Sequence, residues 1–114
     1  MKYNKYGNKK VRIGGDEFDS QKEYHRWCEL LLLERAGKIR DLQRQVRFEL
    51  IPAQHALVDG KPKKVEHAVH YVADFVYWLG DERIVEDAKG AKTREYVLKR
   101  KLMLFRHGIR VREV

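Results

Sequence analysis

The stretch "VEHAVHYVADFVYWLGDERIVEDAK", residues 65–89, is the most informative about the fold, because its pattern predicts two buried strands joined by a tight turn. Its first fifteen residues are apolar on both faces of a strand, and "GDE" supplies the turn. The last seven residues then form the next strand. Both strands are therefore predicted at the centre of a sheet.

The rest of the chain surrounds this hairpin with helices and further strands. Helical spacing of apolar residues, with caps at each end, predicts helices over 18–37 and 92–108. A period of two predicts a strand over 39–51, and "IRVREV" at 109–114 predicts a short last strand. Both prolines and a lysine cluster mark 52–64 as a loop or hairpin tip.

This order predicts an α/β (α+β) fold whose core runs α-β-β-β-α-β, with a central mixed sheet flanked by helices. Residues 16–114 are expected to form one domain, and 1–15 a basic, flexible N-terminal arm. In the strand over 39–51, one face is predicted to carry Leu42, Val46, Phe48 and Leu50, and the other Gln43, Gln45, Arg47 and Glu49.

The charge of the chain favours a polyanionic partner. Its 114 residues include 25 Lys and Arg against 17 Asp and Glu, a formal charge of +8, so nucleic acid is the first candidate. No apolar run reaches the roughly 20 residues of a membrane span, and no signal peptide opens the chain. We expect a soluble, intracellular protein, whose single cysteine, Cys28, forms no internal disulfide.

The charged residues inside the two central strands point to a site. On the second strand, Asp87 and Lys89 share a face with Val85, whereas Glu86 points the other way. Asp74 on the first strand would carry a desolvation cost of several kcal/mol without a compensating positive charge. The hairpin can bring Asp74 and Asp87 together, which favours a shared Mg²⁺ or Mn²⁺. The simpler alternative is that Lys89 forms a salt bridge with either aspartate.

These motifs resemble the PD-(D/E)XK nuclease superfamily. "ADF" followed by "VEDAKG", after a helix carrying "FDSQKEYHRW", is similar to its pattern of an acid on one strand and acid-X-Lys on the next. The whole chain resembles small phage and prophage proteins assigned to that superfamily, from "KYGNKK" to "HGIRV". The departures are Ala73 in place of the proline, and Glu86 beside Asp87.

The resemblance implies a Mg²⁺-dependent (or Mn²⁺-dependent) endodeoxyribonuclease. Carried over, Asp74 and Asp87 become metal ligands, joined by Glu23 and the backbone carbonyl of Ala88. Lys89 becomes the group that orients the attacking water or stabilises the developing charge. Compact members of the superfamily include Holliday-junction resolvases, so the resemblance also implies branched DNA as substrate, a homodimer, and phage DNA metabolism in the cytoplasm of a bacterial host.

Two polar residues have competing interpretations. Glu23 completes the S-x-x-E pattern of a capping box that starts at Ser20, or its carboxylate reaches the sheet and helps to hold the cation. Gln45 borders the site, or more simply faces solvent. His67 and His70 lie on opposite faces of a strand, so they should not chelate a metal together.

Lysines on mobile or exposed segments are the predicted DNA-backbone contacts. They are Lys9, Lys10, Lys61, Lys63, Lys64 and Lys99. The competing hypothesis for the whole chain is a non-catalytic DNA-binding or assembly module, in which Asp74, Asp87 and Lys89 form a structural network that is indifferent to Mg²⁺.

Overall fold

The structure, a computed structural model, describes residues 10–13, 15–88 and 91–114. Its elements, in chain order, are β1 (Val11–Ile13), β2 (Asp16–Phe18), α1 (Gln21–Arg35), β3 (Arg40–Ile51), β4 (Gln54–Val58), β5 (Lys61–Glu66), β6 (Val69–Leu79), β7 (Glu82–Asp87), α2 (Arg94–His107) and β8 (Arg112–Glu113).

The main sheet has four strands in the order β3-β6-β7-β8. The strand β6 pairs antiparallel with both β3 and β7, whereas β7 pairs parallel with β8, so the sheet is mixed. The β6–β7 turn consists of Gly80 and Asp81, and Gly80 has a φ of 62°, a conformation in which glycine carries no Cβ penalty. The predicted α/β class and the central position of both strands are confirmed.

The two helices cover opposite faces of this sheet. Ser20 caps the start of α1 by accepting a hydrogen bond from the Glu23 N–H, and Gly108 ends α2 with a φ of 67°. The cluster under α1 comprises Leu30, Ile39, Phe75, Tyr77, Ile84 and Ala88. The cluster under α2 comprises Phe48, Leu50, Tyr71, Ala73, Val76, Val85, Tyr96, Met103 and Val111. Neither helix has the length and apolar character needed to cross a membrane.

The strand β3 changes faces at Gln45, which contradicts the single apolar face predicted for it. Leu42 packs with the cluster under α1, whereas Val46 packs with the cluster under α2. The reason is the backbone of Gln45, whose φ of 53° is left-handed in the middle of a strand. Simple alternation therefore fails across this residue.

The strand β6 changes faces at the same level. Phe75 lies in the cluster under α1, whereas Ala73, two residues earlier, lies in the cluster under α2. The pairing with β3 has the same register on both sides of this switch, since Arg44 pairs with Phe75 and Val46 pairs with Ala73. Both strands therefore switch faces at the same level, and their pairing register does not change there. Asp74 lies at the switch on β6.

Two segments outside the main sheet are hairpins. Residues 52–64, predicted as a loop or hairpin tip, contribute to the antiparallel pair β4–β5, and the long predicted strand is interrupted before Val69. Within the segment predicted as an arm, Val11–Ile13 pairs with β2 through a turn at Gly15. The last strand is shorter than predicted, at Arg112–Glu113.

A buried ion pair ties α1 to the sheet. Arg26 donates two hydrogen bonds, of 2.8 and 2.7 Å, to the two oxygens of Glu86, whose side chain is 1% exposed. Tyr77 donates a further hydrogen bond to Glu86, and burial together with this bond raises the pKa of Tyr77 to about 12. The carboxylate of Glu86 is therefore fully engaged on the α1 side of the sheet.

We expect Arg26→Ala to lower the free energy of unfolding by about 3 kcal/mol, because it leaves the buried Glu86 carboxylate without its charged partner. Urea denaturation at neutral pH measures the loss. Arg35→Ala, at an exposed arginine on the same helix, is the control and should change stability by less than about 0.5 kcal/mol. Equal losses in the two variants would show that the ion pair contributes nothing specific.

Candidate functional site

The candidate site lies where the pairing of β6 with β7 ends. The last pair of that ladder is Phe75 with Glu86, so Asp74 and Asp87 are the next residues on the two strands. Beyond it, the Ala88 N–H donates a hydrogen bond of 2.8 Å to Asp74 Oδ2. The sequence expectation that the hairpin brings the two aspartates to the same level agrees with this register.

Glu23 enters the site from α1, and both of its interpretations describe part of its geometry. Its Oε2 accepts a hydrogen bond of 3.1 Å from the Asp19 N–H, next to the Ser20 cap. Its Oε1 accepts from Gln45 Nε2 at 3.1 Å and from Arg44 at 3.3 Å. One carboxylate oxygen therefore holds the helix start, and the other faces the sheet.

Gln45 bridges two of the candidate acids. Its Nε2 lies 3.1 Å from Glu23 Oε1 and 3.5 Å from Asp74 Oδ1. Gln45 is exposed, as the sequence favoured, and its amide also reaches the candidate acids. Nothing local in the sequence marks the strained backbone that aims this side chain. Non-glycine residues with positive φ cost free energy and are concentrated at functional sites.

Charge and burial act together on Glu23, which is 2% exposed. Burial and the nearby charge of Asp74 raise the pKa of Glu23 above its ordinary value of 4.5, and Arg44 opposes that shift. The Arg44 guanidinium is itself held 3.8 Å above the ring of Phe18. Burial and Asp74 thus disfavour the charged form of Glu23, and Arg44 partly compensates for it.

Asp87 lies on the other face of β7, toward α2. Its side chain is buried, and its Oδ2 accepts a hydrogen bond of 2.5 Å from the Tyr71 hydroxyl. Burial and the Asp87 charge raise the pKa of both Tyr71 and Tyr96. Glu86 points to the α1 side, so of the two neighbouring acids only Asp87 has the orientation that the sequence assigned to the site.

Lys89, the expected catalytic lysine, lies outside the described residues, and so does Lys9. The remaining predicted DNA contacts are scattered. Lys10 pairs with Glu17 at 3.2 Å, and Lys99 pairs with Glu95 one helical turn away at 3.1 Å. The three lysines of β5 are all exposed: Lys61, Lys63 and Lys64.

Within the described residues, no group of three or more His, Cys, Asp or Glu side chains is arranged to hold a metal ion. The two histidines considered above do not change this, since His67 lies between β5 and β6 while the Nδ1 of His70 is 3.2 Å from Arg47. Carboxylate and carbonyl oxygens remain the donors on hand, and they suit Mg²⁺ or Mn²⁺. Mg²⁺ usually retains several waters and is held by one or two carboxylates together with substrate phosphates.

A family model described as "Protein of unknown function (DUF1064)" matches residues 3–113. The chain belongs to the DUF1064 family. No curated protein and no solved structure matches it. The DUF1064 description assigns no activity to the family.

We expect Gln45→Gly to be more stable than Gln45→Ala by about 1 kcal/mol, because both variants lose the amide but only glycine relieves the left-handed backbone. Thermal unfolding measures the difference. Gln43, exposed on the same strand, is the control, and there glycine should be the less stable of the two. The same order of stability at both positions would contradict the strain at Gln45.

The pKa of Glu23 predicts a pH dependence of folding. A carboxyl whose pKa is raised on folding contributes stability below its unfolded pKa, and that contribution is lost as pH rises through the folded value. Wild type should therefore lose stability relative to Glu23→Gln as pH rises from about 4.5 to neutral. Urea denaturation across this range tests it, with Glu49→Gln, at an exposed site, as control. If wild type instead gained stability relative to Glu23→Gln over this range, the raised pKa of Glu23 would be contradicted.

Proposed function

We propose that this DUF1064 protein is a metal-dependent DNA endonuclease that hydrolyses phosphodiester bonds. The observation that carries the proposal is the link between two acids from different elements, Glu23 of α1 and Asp74 of β6. The Gln45 Nε2 lies 3.1 Å from Glu23 and 3.5 Å from Asp74, and Asp74 accepts a hydrogen bond from the N–H of Ala88, the residue after Asp87. A buried carboxyl whose pKa is raised by burial and by a neighbouring acid, as for Glu23, marks a candidate functional site.

The residues that would hold the cation are Asp74 and Asp87, with Glu23 and the Ala88 carbonyl beside them. A bound Mg²⁺ would supply the positive charge that phosphodiester cleavage requires. Lys89 would add an ammonium group close to the reacting phosphate, as the resemblance to PD-(D/E)XK nucleases implies. Asp74, Asp87 and Ala88 lie at one end of two paired strands, and Glu23 lies on α1, while the Asp87 side chain bonds Tyr71 on the α2 side.

Protein side chains in the structure support this arrangement by fixing the acids. Gln45 donates to Glu23 and Asp74, so it orients both carboxylates at once. Arg44 compensates the charge of Glu23, and Tyr71 sets the rotamer of Asp87 through its hydroxyl. Supporting contacts of this kind are what hold catalytic groups in place.

The proposed substrate is DNA, and we further propose branched DNA such as a Holliday junction. The formal charge of +8 supports a polyanionic substrate. The observed order α1-β3-β6-β7-α2-β8 for the main sheet and its helices matches the α-β-β-β-α-β core of the PD-(D/E)XK nucleases that the motifs resemble. Symmetric cutting of a junction would require a homodimer.

A second candidate function is a non-catalytic DNA-binding or assembly module. It is favoured by the partners that the buried acids already have within the protein. Glu86 is paired with Arg26, and Glu23 with Arg44. If Asp87 served only to bond Tyr71, the whole cluster would be structural and would gain nothing from Mg²⁺.

The test is cleavage of labelled four-way junction, flap, single-stranded and linear duplex DNA with Mg²⁺, Mn²⁺ or EDTA. We expect metal-dependent cleavage, and a loss of roughly 100-fold or more in Asp74→Asn and Asp87→Asn, the scale for removing one group that stabilises transition-state charge. Lys89→Gln should lose activity to a similar extent. Asp81→Asn, in the exposed β6–β7 turn, is the matched control and should cleave like wild type.

Two results would contradict the proposed nuclease activity at this site. Binding of every substrate without cleavage under any metal would favour the non-catalytic module. Cleavage that survives in Asp74→Asn and Asp87→Asn would indicate a different active site or a contaminating enzyme. Preference among the four substrates then decides whether branched DNA is the correct class.

A further inference from the structure

The β4–β5 hairpin is a ribbon that the core of the protein does not use. Every residue of both strands is exposed, and none belongs to either of the two apolar clusters. An isolated two-stranded ribbon is only marginally stable in water. A ribbon that contributes nothing to the core therefore suggests a surface built to contact something else.

The tip of the ribbon is a two-residue turn. Its turn consists of Asp59 and Gly60, which have φ of 50° and 76°. Positive φ at both central residues is the pattern of the type I′ turn, whose twist matches that of paired strands. The ribbon is thus held by its turn as well as by its ladder.

Lysines lie on both faces of the ribbon. Cross-strand partners share a face, so the pairs Ala56–Lys63 and Val58–Lys61 define one face. The pairs His55–Lys64 and Leu57–Pro62 define the other. In the described part of the chain, no carboxylate forms an ion pair with any of these three lysines.

This distribution of charge indicates which kind of partner the ribbon contacts. A ribbon that lay flat on its own protein, or on another apolar surface, would have one apolar face. The ribbon carries three lysines against two carboxylates, Asp59 in the turn and Glu66 at the base. Because its lysines lie on both faces, the ribbon is matched to surroundings that are negative on two sides. A second copy of a chain with a formal charge of +8 would instead repel it.

The major groove of duplex DNA provides such surroundings. It is about 12 Å wide, it admits a two-stranded ribbon, and phosphates line both of its walls. The geometry points to tip-first insertion of the β4–β5 ribbon into the major groove, with its two lysine-bearing faces toward the two phosphate walls. Apolar side chains among the lysines, such as the 75% exposed Leu57, would then pack against the groove interior.

The ribbon continues from the same pair of strands that carries the candidate site. The β3–β6 ladder ends at Ile51 with Val69, and pairing resumes at Gln54 with Glu66. From Gln45 to the middle of the ribbon is twelve residues along the chain, at most about 40 Å at roughly 3.3 Å per residue. One turn of DNA is about 34 Å. A duplex with its phosphate at the site would present a groove within reach of the ribbon.

The inference rests on DNA as the partner in the proposed function, but not on catalysis. Binding is therefore measured in EDTA, by fluorescence anisotropy, on linear duplex DNA. One duplex is unmodified, and a second of the same sequence carries glucosylated hydroxymethyl groups at C5 of its cytosines. These groups fill the major groove and leave the phosphates unchanged.

Wild type should bind the groove-filled duplex about tenfold or more weakly than the unmodified one. The triple variant Lys61→Gln, Lys63→Gln, Lys64→Gln should bind both duplexes alike and more weakly than wild type binds unmodified DNA. The slope of log K against log salt should be shallower than that of wild type by nearly three, because each lost phosphate contact removes about 0.9 from the slope. The substituted lysines are exposed, so we expect the fold to be retained, and thermal unfolding checks this.

The matched control carries the same change of charge elsewhere: Lys22→Gln, Lys38→Gln, Lys101→Gln, all at exposed positions. It should keep the discrimination between the two duplexes. Equal affinity of wild type for both duplexes would overturn groove insertion. An equal loss of affinity in the two triple variants would overturn a specific role of the ribbon, because it would show that only the total positive charge matters. Because no metal is present, loss of the nuclease proposal would leave these results unaffected.

Discussion

The left-handed backbone of Gln45 is the constraint around which the sheet is arranged. Because β3 and β6 switch faces together at Gln45 and Asp74, the same two strands supply apolar side chains to α1 at one end and to α2 at the other. Polar side chains are left at the crossing level, between the two apolar clusters. The strain of a positive φ in a non-glycine residue is thus offset by packing on both faces.

The buried acids differ in how their charge is compensated. Glu86 is bound at both oxygens by Arg26 and also accepts from Tyr77, which accounts for it as a structural group. Glu23 shares Gln45 with Asp74, and its pKa is raised by burial and by that neighbour. A carboxyl whose pKa is raised by burial together with a neighbouring acid is a candidate functional group, even though Arg44 partly compensates for the charge of Glu23.

Candidate site and ribbon are parts of one structural unit. The strands β3 and β6 carry Gln45 and Asp74, and the connection between them contains β4 and β5. A substrate that touched both would therefore be aligned along a single pair of strands. Under the proposed function, this arrangement would give the positioning of DNA and the chemistry on DNA a common frame.

Local sequence determined the helices with the caps Ser20 and Gly108, the β6–β7 hairpin, and the opposite orientations of Glu86 and Asp87, because each depends on the periodicity of adjacent residues. The functional roles of all the candidate site residues stay predictions, and Lys9 and Lys89 lie outside the described residues. Only the tertiary structure decided the face switch at Gln45, which made the single-face assignment of β3 wrong, and the pairing of Arg26 with a residue sixty positions away. Those features arise from contacts between distant segments, which no local pattern contains.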